Sequence, residues 1–267
     1  MAQPDDRYSH GHHESVLRSH RWRTAQNSAR FLLAHLAPGQ DLLDVGCGPG
    51  TITSELAQLT APGRTVGVDL SSEVIALARE GQSGASPVHF EQGDVYSLRF
   101  EDSSFDVVYA HQVLQHLSEP VAALIEMRRV LRPGGLLAVR DSDYGAFVWS
   151  PDDPYLDRWM EIYQQITARN RATANAGRHL AAWVRSAGFT SLEVTSSTWT
   201  FHEEAQRAWW GRLWADRVRD SEFARQGVEY GLTSADELSR IAEAWLAWSQ
   251  DDNGLFVAVH VEVIARP

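Results

Sequence analysis

Short apolar runs alternate with amphipathic segments along the middle of this chain, from residue 41 to residue 141. Five apolar runs predict buried strands: 41–45, 65–69, about 87–91, 105–110 and 136–141. Three of the segments between them have helical spacing: 51–59, 71–80 and 120–131. Strands that alternate with helices predict a parallel sheet with helices on both faces, so we expect an α/β fold.

The segments that flank this core are also patterned. Residues 1–36 predict a polar, histidine-rich arm and an amphipathic helix at about 24–36, which we expect to cover the ligand site; a mobile arm is the alternative. Two later segments, 142–176 and 203–252, carry aromatic residues at helical spacing and predict a helical lid inserted into a single domain of residues 1–267.

The first strand leads into a glycine-rich turn, Asp44-Val45-Gly46-Cys47-Gly48-Pro49-Gly50, before a helix begins at Thr51. Glycines allow the backbone to turn sharply and to lie directly against a ligand. The first amides of the helix favour an anionic ligand group. The turn predicts a nucleotide-type cofactor site, although a tight connection between strand and helix has a similar composition.

Carboxylates follow the next two strands. Asp69 ends the second strand, 19 residues after Gly50, where an acid can accept both ribose hydroxyls of an adenosine. A helix cap is the alternative for this acid, but Ser71 is better placed to cap the following helix. Asp94 follows the third strand, and a simple turn residue is its alternative.

The turn at 44–50, together with Arg129-Val130-Leu131-Arg132-Pro133-Gly134-Gly135 before the fifth strand, resembles the class I S-adenosylmethionine-dependent methyltransferases. The likeness is greatest to the ubiquinone/menaquinone-biosynthesis type and its secondary-metabolite relatives. The resemblance is close over about 40–141 and looser through a helix at 177–187 and the last strands, at about 190–201 and 255–265. It implies a Rossmann-like sheet of seven strands in the order 3-2-1-4-5-7-6, with the last strand antiparallel. It also implies S-adenosylmethionine as the cofactor and S-adenosylhomocysteine as its product.

Position by position, the resemblance assigns the parts of that cofactor to residues of this chain. The methionine part is expected at Asp44, Gly46, Cys47, Gly48 and Gly50. The ribose is expected at Asp69 and Leu70, and the adenine at Asp94 and Val95. His111 and Gln112 are expected beside the sulfonium, at the end of the fourth strand.

Methyl transfer needs at most one titrating group near the methyl, and histidine suits that role at neutral pH. The candidate catalytic residues are His111, His116 and Tyr8. The candidate substrate residues, drawn from the arm and the aromatic lid, are His12, Trp22, Tyr144, Trp149 and Trp210. An aromatic lid predicts a small aromatic or heteroaromatic acceptor, methylated at carbon or oxygen rather than nitrogen. Ordinary packing is the alternative for each tryptophan.

Two other functions remain open from the sequence. One is a protein that binds S-adenosylmethionine but catalyses a cyclisation, and the other is a nucleotide-dependent dehydrogenase on a similar sheet. The second is disfavoured because the dinucleotide fingerprint needs a third small residue three positions after its second glycine, and Thr51 stands at that position.

Composition narrows the partners. The formal charge is −11, from 24 basic and 35 acidic residues, which disfavours nucleic-acid binding. One cysteine cannot form an intramolecular disulfide, and no run approaches the ~18 apolar residues of a membrane span, so we expect a cytoplasmic protein. We expect no metal, because Asp141 and Asp143 form an incomplete ligand set.

Overall fold

The structure is a computed structural model that describes residues 6–9, 11, 13–82 and 88–267. One mixed sheet runs through these residues. Its eight strands are β1 (Leu42–Val45), β2 (Thr65–Asp69), β3 (Val88–Gln92), β4 (Phe105–His111), β5 (Leu131–Ser142), β6 (Val148–Ser150), β7 (Ser191–Phe201) and β8 (Leu255–Arg266).

The predicted strand order is confirmed. The sheet runs β3-β2-β1-β4-β5-β8, and β7 pairs with β8 along the far edge. The first five strands are parallel, and β8 is antiparallel to both β5 and β7. The glycine-rich turn and the acids after β2 and β3 therefore lie at one end of the sheet, where the parallel strands finish.

The expected number of strands is wrong by one, since β6 lies inside the first predicted insertion. Pairing between β5 and β8 ends at Ser142 and His260, and β8 extends further, to Leu255. This overhang leaves backbone groups for another partner, and β6 pairs with residues 255–257 of β8. After leaving β5, the chain thus pairs again with β8, through β6.

The helices cover both faces of the sheet and build the lid. The helices before and between the strands of the core are α1 (Glu14–Arg21), α2 (Ala25–Ser28), α3 (Arg30–Leu33), α4 (Thr51–Thr60), α5 (Ser72–Glu80) and α6 (Pro120–Val130). Those of the carboxyl-terminal half are α7 (Pro154–Arg169), α8 (Leu180–Ser186), α9 (Glu204–Asp220), α10 (Glu222–Glu229) and α11 (Ala235–Gln250).

The single helix expected at 24–36 is wrong, because the chain breaks at Ala29 into α2 and α3. The backbone of Ala29 has φ −130°, outside the helical region. The carbonyl of Asn27 accepts a hydrogen bond from the indole of Trp199, and the carbonyl of Ser28 accepts one from the hydroxyl of Tyr109. These long-range side chains bind groups that a continuous helix would use internally.

The lid has an apolar core of its own. Helices α7, α9 and α11 pack through three fully buried indoles, those of Trp159, Trp214 and Trp245. The rings of Trp159 and Trp214 meet edge to face at 4.6 Å, and those of Trp159 and Trp245 at 5.1 Å. Packing therefore accounts for Trp159 and Trp245. None of the helices in the described ranges combines the length and apolar character that crossing a membrane requires.

Replacement of Gly50 tests whether the turn requires a glycine at this position. Its φ is +77°, and a β-carbon there would lie 2.4 Å from the ring of Phe90. We expect Gly50→Ala to lower the free energy of unfolding by more than Gly134→Ala, because Gly134 has φ +79° but nothing within 4 Å. The control should cost about 1–2 kcal/mol from backbone strain, and overpacking should add about 1–3 kcal/mol at Gly50. Urea unfolding measures both; equal losses would contradict the proposed contact.

Candidate active site

A cavity of about 440 Å³ opens at the carboxyl ends of the parallel strands. This volume falls within the range of about 300–1,000 Å³ that is typical of small-molecule sites. Its lining joins the glycine-rich turn, the ends of β2, β3 and β4, the arm before α1, and aromatic residues from the lid and from β7. The cavity therefore brings together the two sets of residues that the sequence assigns to a cofactor and to an acceptor.

The three glycines of the turn all have left-handed backbones, with φ of +72° at Gly46, +55° at Gly48 and +77° at Gly50. A β-carbon on Gly46 would lie 2.3 Å from a methyl group of Val113, whereas one on Gly48 would meet nothing closer than 3.7 Å. Gly46 and Gly48 line the cavity. Gly50, which was also assigned to the cofactor, instead starts α4 and packs against Phe90.

Asp44 and Cys47 also line the cavity from this turn. Asp44 is 2% exposed and accepts a hydrogen bond of 2.6 Å from the hydroxyl of Thr53. Burial raises the pKa of Asp44 to about 7, and the neighbouring charge of Asp69 adds to this effect. Burial likewise raises the pKa of the Cys47 thiol, which keeps that side chain uncharged.

The carboxylate of Asp69 supports the turn from β2. It accepts hydrogen bonds from the backbone N–H of Gly48 at 3.1 Å and from that of Ser71 at 3.0 Å. The hydroxyl of Ser71 accepts from the N–H of Val74, which confirms the predicted cap of α5. Asp69 and the exposed Leu70 both line the cavity. Asp69 is thus placed to orient the turn as well as to meet a ligand.

The end of β3 contributes a second carboxylate to the same cavity. Asp94 and Val95 both line it. Asp94 accepts a hydrogen bond of 2.9 Å from the backbone N–H of Tyr96, and the Tyr96 hydroxyl donates to Asp6 in the arm at 2.6 Å. The arm is therefore fastened directly above the segment to which the sequence assigns the adenine.

Gln112 follows β4 with φ +55°, which is uncommon for a residue with a side chain. Its amide oxygen accepts a hydrogen bond of 2.6 Å from Arg23. Its amide nitrogen lies 2.8 Å from both the Ser142 hydroxyl and Nε2 of His260. The side chain of Gln112 therefore links Arg23, just after α1, with β5 and β8 at the floor of the cavity.

His111, the last residue of β4, is buried beside the guanidinium of Arg140. Nη1 of Arg140 lies 3.5 Å from Nδ1 of His111. Since arginine only donates, this contact places the proton of the neutral ring on Nε2. Nε2 is buried without a hydrogen-bond partner in the described part of the chain. Burial and the charge of Arg140 hold the pKa of His111 well below its usual range.

His116 and Tyr8 meet in the cavity wall. Their rings pack edge to face with centroids 4.6 Å apart. Burial and the charge of Arg23 lower the pKa of His116 to about 3, and burial raises the pKa of Tyr8 to about 12. At neutral pH the imidazole is therefore neutral and the phenol keeps its proton. Tyr8 is consequently a hydrogen-bond donor and not a base.

The predicted substrate residues divide into three groups. Trp22, Tyr144 and Trp210 line the cavity. Trp149 is not part of that lining, because β6 turns its indole onto Phe256, where the rings stack at 6.3 Å. His12 lies outside the described residues.

The sequence interpretation missed several residues of the cavity wall, notably Trp199, Arg217 and His260. Trp199 and His260 lie on strands whose faces depend on register, and no local signal identifies them. Arg217 does have a signal. It continues an apolar stripe of α9 formed by Trp210, Leu213 and Trp214, with spacing i, i+3, i+4 and i+7.

Asp141 and Asp143, the acids considered as metal ligands, accept hydrogen bonds from other groups of the protein. Asp143 receives hydrogen bonds from the backbone and guanidinium of Arg178, the shortest being 2.5 Å. Asp141 is fully buried and accepts from the N–H of Gln115 at 3.1 Å. Residues 6–9, 11, 13–82 and 88–267 contain no group of three or more side chains arranged to hold a metal ion.

Comparison with known proteins identifies the family. A family model described as a methyltransferase domain matches residues 43–139. An uncharacterized methyltransferase of Schizosaccharomyces pombe is 32% identical over 278 residues, with 100% of this chain and 99% of that protein covered. The chain belongs to the methyltransferase family. It is an S-adenosylmethionine-dependent enzyme, as the glycine-rich turn and the strand order lead us to expect.

Two further matches agree with this assignment. A demethylmenaquinone methyltransferase of Clavibacter sepedonicus is 29% identical over 195 residues, which cover 66% of this chain and 75% of that protein. The predicted resemblance to the quinone-pathway type is thus confirmed. The YcgJ protein of Bacillus subtilis has the same fold, with a TM-score of 0.57 at 19% identity over 96% of this methyltransferase and 100% of that chain.

The lowered pKa of His116 makes a prediction about stability. The unfolded chain, with a histidine pKa of about 6.5, binds a proton on acidification before the folded chain does, so His116 costs stability below about pH 6.5. We expect the stability gap between the wild type and His116→Gln to narrow by about 2 kcal/mol between about pH 7 and about pH 5. Urea unfolding at both pH values measures it.

Leu117, a side chain without a titratable group that also lines the cavity, provides the control. Leu117→Ala should leave the gap the same at both pH values. A gap for His116→Gln that does not change with pH would contradict the burial of a neutral imidazole.

Proposed function

We propose that this methyltransferase moves the methyl group of S-adenosylmethionine to a ring carbon or oxygen of a small aromatic or heteroaromatic molecule. The observation that carries the proposal is that one cavity contains both sets of residues. Its one side is the glycine-rich turn with Asp69 and Asp94, and its other side is aromatic. A donor and a flat acceptor placed there would lie together, and such positioning supplies about 7–11 kcal/mol of the barrier to a bimolecular reaction.

The turn and the two strand-end acids are assigned to the cofactor. Gly46 and Gly48 let the backbone approach the methionine part, beside Asp44 and Cys47. Asp69 and Leu70 are assigned to the ribose, and Asp94 and Val95 to the adenine. When bound, S-adenosylmethionine supplies a methyl group activated by a positively charged sulfur. His111 and Gln112 are assigned to its surroundings at the end of β4.

Arg23 adds a cation to this part of the site. Its guanidinium donates to Gln112 and lies over the ring of Trp199, 5.7 Å from the centroid. Nearby, the Thr51 hydroxyl donates to the carbonyl of His20 at 3.3 Å, which places the end of α1 against the start of α4. We assign Arg23 to the carboxylate of the methionine part, because its guanidinium lines the cavity and follows directly on the end of α1 that contacts Thr51.

The arm is assigned the role of a cover. Asp6 accepts hydrogen bonds from Tyr96 and from the N–H of Ser118 in the core. Arg7 pairs with Glu229 of the lid at 2.6 Å. The arm therefore bridges the core and the lid over the cavity, and Asp6 and Tyr8 form part of the cavity wall. A cover of this kind excludes water from the reacting groups.

The histidines are suited to work beside a cation because they are neutral. A charged imidazole next to a sulfonium would be repelled, and burial prevents that charge from forming at His111 and His116. Arg140 occupies Nδ1 of His111. We assign any proton acceptance to His116, whose ring packs on Tyr8 and whose Nε2 lies 3.0 Å from the amide nitrogen of Gln115. Tyr8 is assigned as the donor that orients the acceptor.

Replacement of Asp69 tests the cofactor assignment. We expect Asp69→Asn to weaken binding of S-adenosylmethionine by about ten- to hundredfold, because hydrogen bonds to a charged acceptor are worth about 1.5–3 kcal/mol. Isothermal titration measures the dissociation constant. Asp152→Asn, at an exposed acid outside the cavity, is the matched control. Unchanged affinity in Asp69→Asn would overturn the assignment of the ribose to this strand end.

The activity itself is tested with the wild-type protein. We expect S-adenosylmethionine, and not NAD, to bind in titration, and we expect S-adenosylhomocysteine to accumulate when phenols and hydroxyquinones are supplied as acceptors. Binding without S-adenosylhomocysteine for any acceptor, together with cyclisation of a supplied polyene, would instead favour the cyclase. Binding of NAD alone would favour the dehydrogenase and overturn the proposal.

A further inference from the structure

Arg217 is a buried cation in the wall of the cavity. It lies on α9 of the lid and is 4% exposed. Its two hydrogen bonds both use Nη2, to the carbonyl of Ser15 at 3.3 Å and to the hydroxyl of Ser19 at 2.9 Å. Both acceptors are neutral, and Nε is buried without a partner within the described ranges. The guanidinium therefore has donors and a charge that its protein contacts do not satisfy.

Two other buried arginines show how this chain usually compensates such a charge. Arg140 is 1% exposed and lies 3.1 Å from the carboxylate of Glu262. Arg207, on the same helix as Arg217, is 5% exposed and lies 3.3 Å from Asp252. Among the described ion pairs none includes Arg217. A buried cation without an anion is costly, which indicates that its counter-charge comes from a ligand.

The surroundings of Arg217 are an indole of the lid and two serines of α1. Its guanidinium carbon lies 4.5 Å from the centroid of the Trp214 ring. The titratable side chains that act most strongly on it are the phenols of Tyr144, Tyr8 and Tyr163, whose raised pKa keeps them uncharged at neutral pH, and not a carboxylate. Tyr8 in turn packs on His116. Tyr8 is therefore a neighbour of both His116 and Arg217.

Aromatic side chains enclose this part of the cavity. Tyr144, Phe147, Trp210 and Trp214 all line it. The rings of Tyr144 and Phe147 stack at 4.4 Å. A flat ring held between such walls, with a negative group at its edge, would place that group against a guanidinium whose planar donors match a carboxylate.

We propose that Arg217 selects an acceptor that carries a carboxylate on its aromatic ring. The proposal rests on the proposed function and specifies its substrate class: an aromatic acid instead of a neutral phenol. The net charge of −11 gives such an anion no long-range attraction to the chain, so the preference must come from the site itself. The carboxylate pairs with the guanidinium, and the ring extends toward Tyr8 and His116.

The test compares two probes, salicylate and its uncharged amide, salicylamide, on the protein loaded with S-adenosylhomocysteine. Quenching of tryptophan fluorescence reports binding, since indoles line the cavity. We expect the wild type to bind salicylate at least about tenfold more tightly than salicylamide, because the carboxylate adds a charged hydrogen-bond pair. We expect Arg217→Gln to reduce that ratio to about one, chiefly by weakening salicylate.

Two further variants keep the test decisive. Arg217→Lys retains the charge and should keep a preference for salicylate even if α1 and α9 pack less well. Arg207→Gln removes a buried arginine from the same helix, outside the cavity, and should leave the ratio unchanged. Equal binding of the two probes by the wild type, binding of neither probe, or an undiminished ratio in Arg217→Gln would overturn the proposal.

The outcome is separable from the fate of the proposed function. Titration with S-adenosylhomocysteine alone tests the cofactor site, which Arg217 is not assigned to contact. Normal binding of that product, without a preference for salicylate, overturns the role of Arg217 and leaves the methyl transfer standing. Failure to bind the product overturns the proposed function first.

Discussion

The hydrogen bonds of Gln112 hold the reactive end of the cavity together. Its side chain connects Arg23 of the amino-terminal segment with Ser142 of β5 and His260 of β8. The strained backbone of Gln112, with φ +55°, aims the side chain into the space between these elements. The network is partly buried, and its partners Ser142 and His260 are fully buried, so a lost hydrogen bond is expensive there. It therefore fixes the relative positions of the sheet and the arm.

Above this floor, the aromatic side chains of the lid give the cavity its shape, and the arm covers it. Most lid tryptophans serve the packing of the lid itself, as Trp159 and Trp245 do, and only those at its inner surface reach the cavity. The lid is thus a small second core whose inner layer is shared with the site. Substrate recognition and lid stability therefore depend on overlapping sets of residues, and changes at Trp214 affect both.

The sheet and the cofactor end could be predicted from sequence because their signals are local. The strand, the glycine-rich turn and the acid after the next strand can each be recognised within one short segment of sequence. Asp44, Gly48 and Asp69 belong to these segments, and all three line the cavity. The acceptor end could not. Trp149 and Trp199 have the same chemistry, but the register of β6 and β7 against β8 turns the first onto Phe256 and the second into the cavity. The break at Ala29 likewise depends on distant side chains.

The cavity wall contains arginines although the whole chain is negatively charged. A protein with a net charge of −11 places Arg23 and Arg217 in one buried space, while burial and neighbouring cations keep His111 and His116 neutral. Neutral histidines limit repulsion of a sulfonium, and neither arginine belongs to any of the ion pairs among the described residues. We assign Arg23 to the carboxylate of the methionine part. Arg217 is not assigned to the cofactor, and a buried guanidinium without an anion is costly, so we assign its counter-charge to a carboxylate on the acceptor.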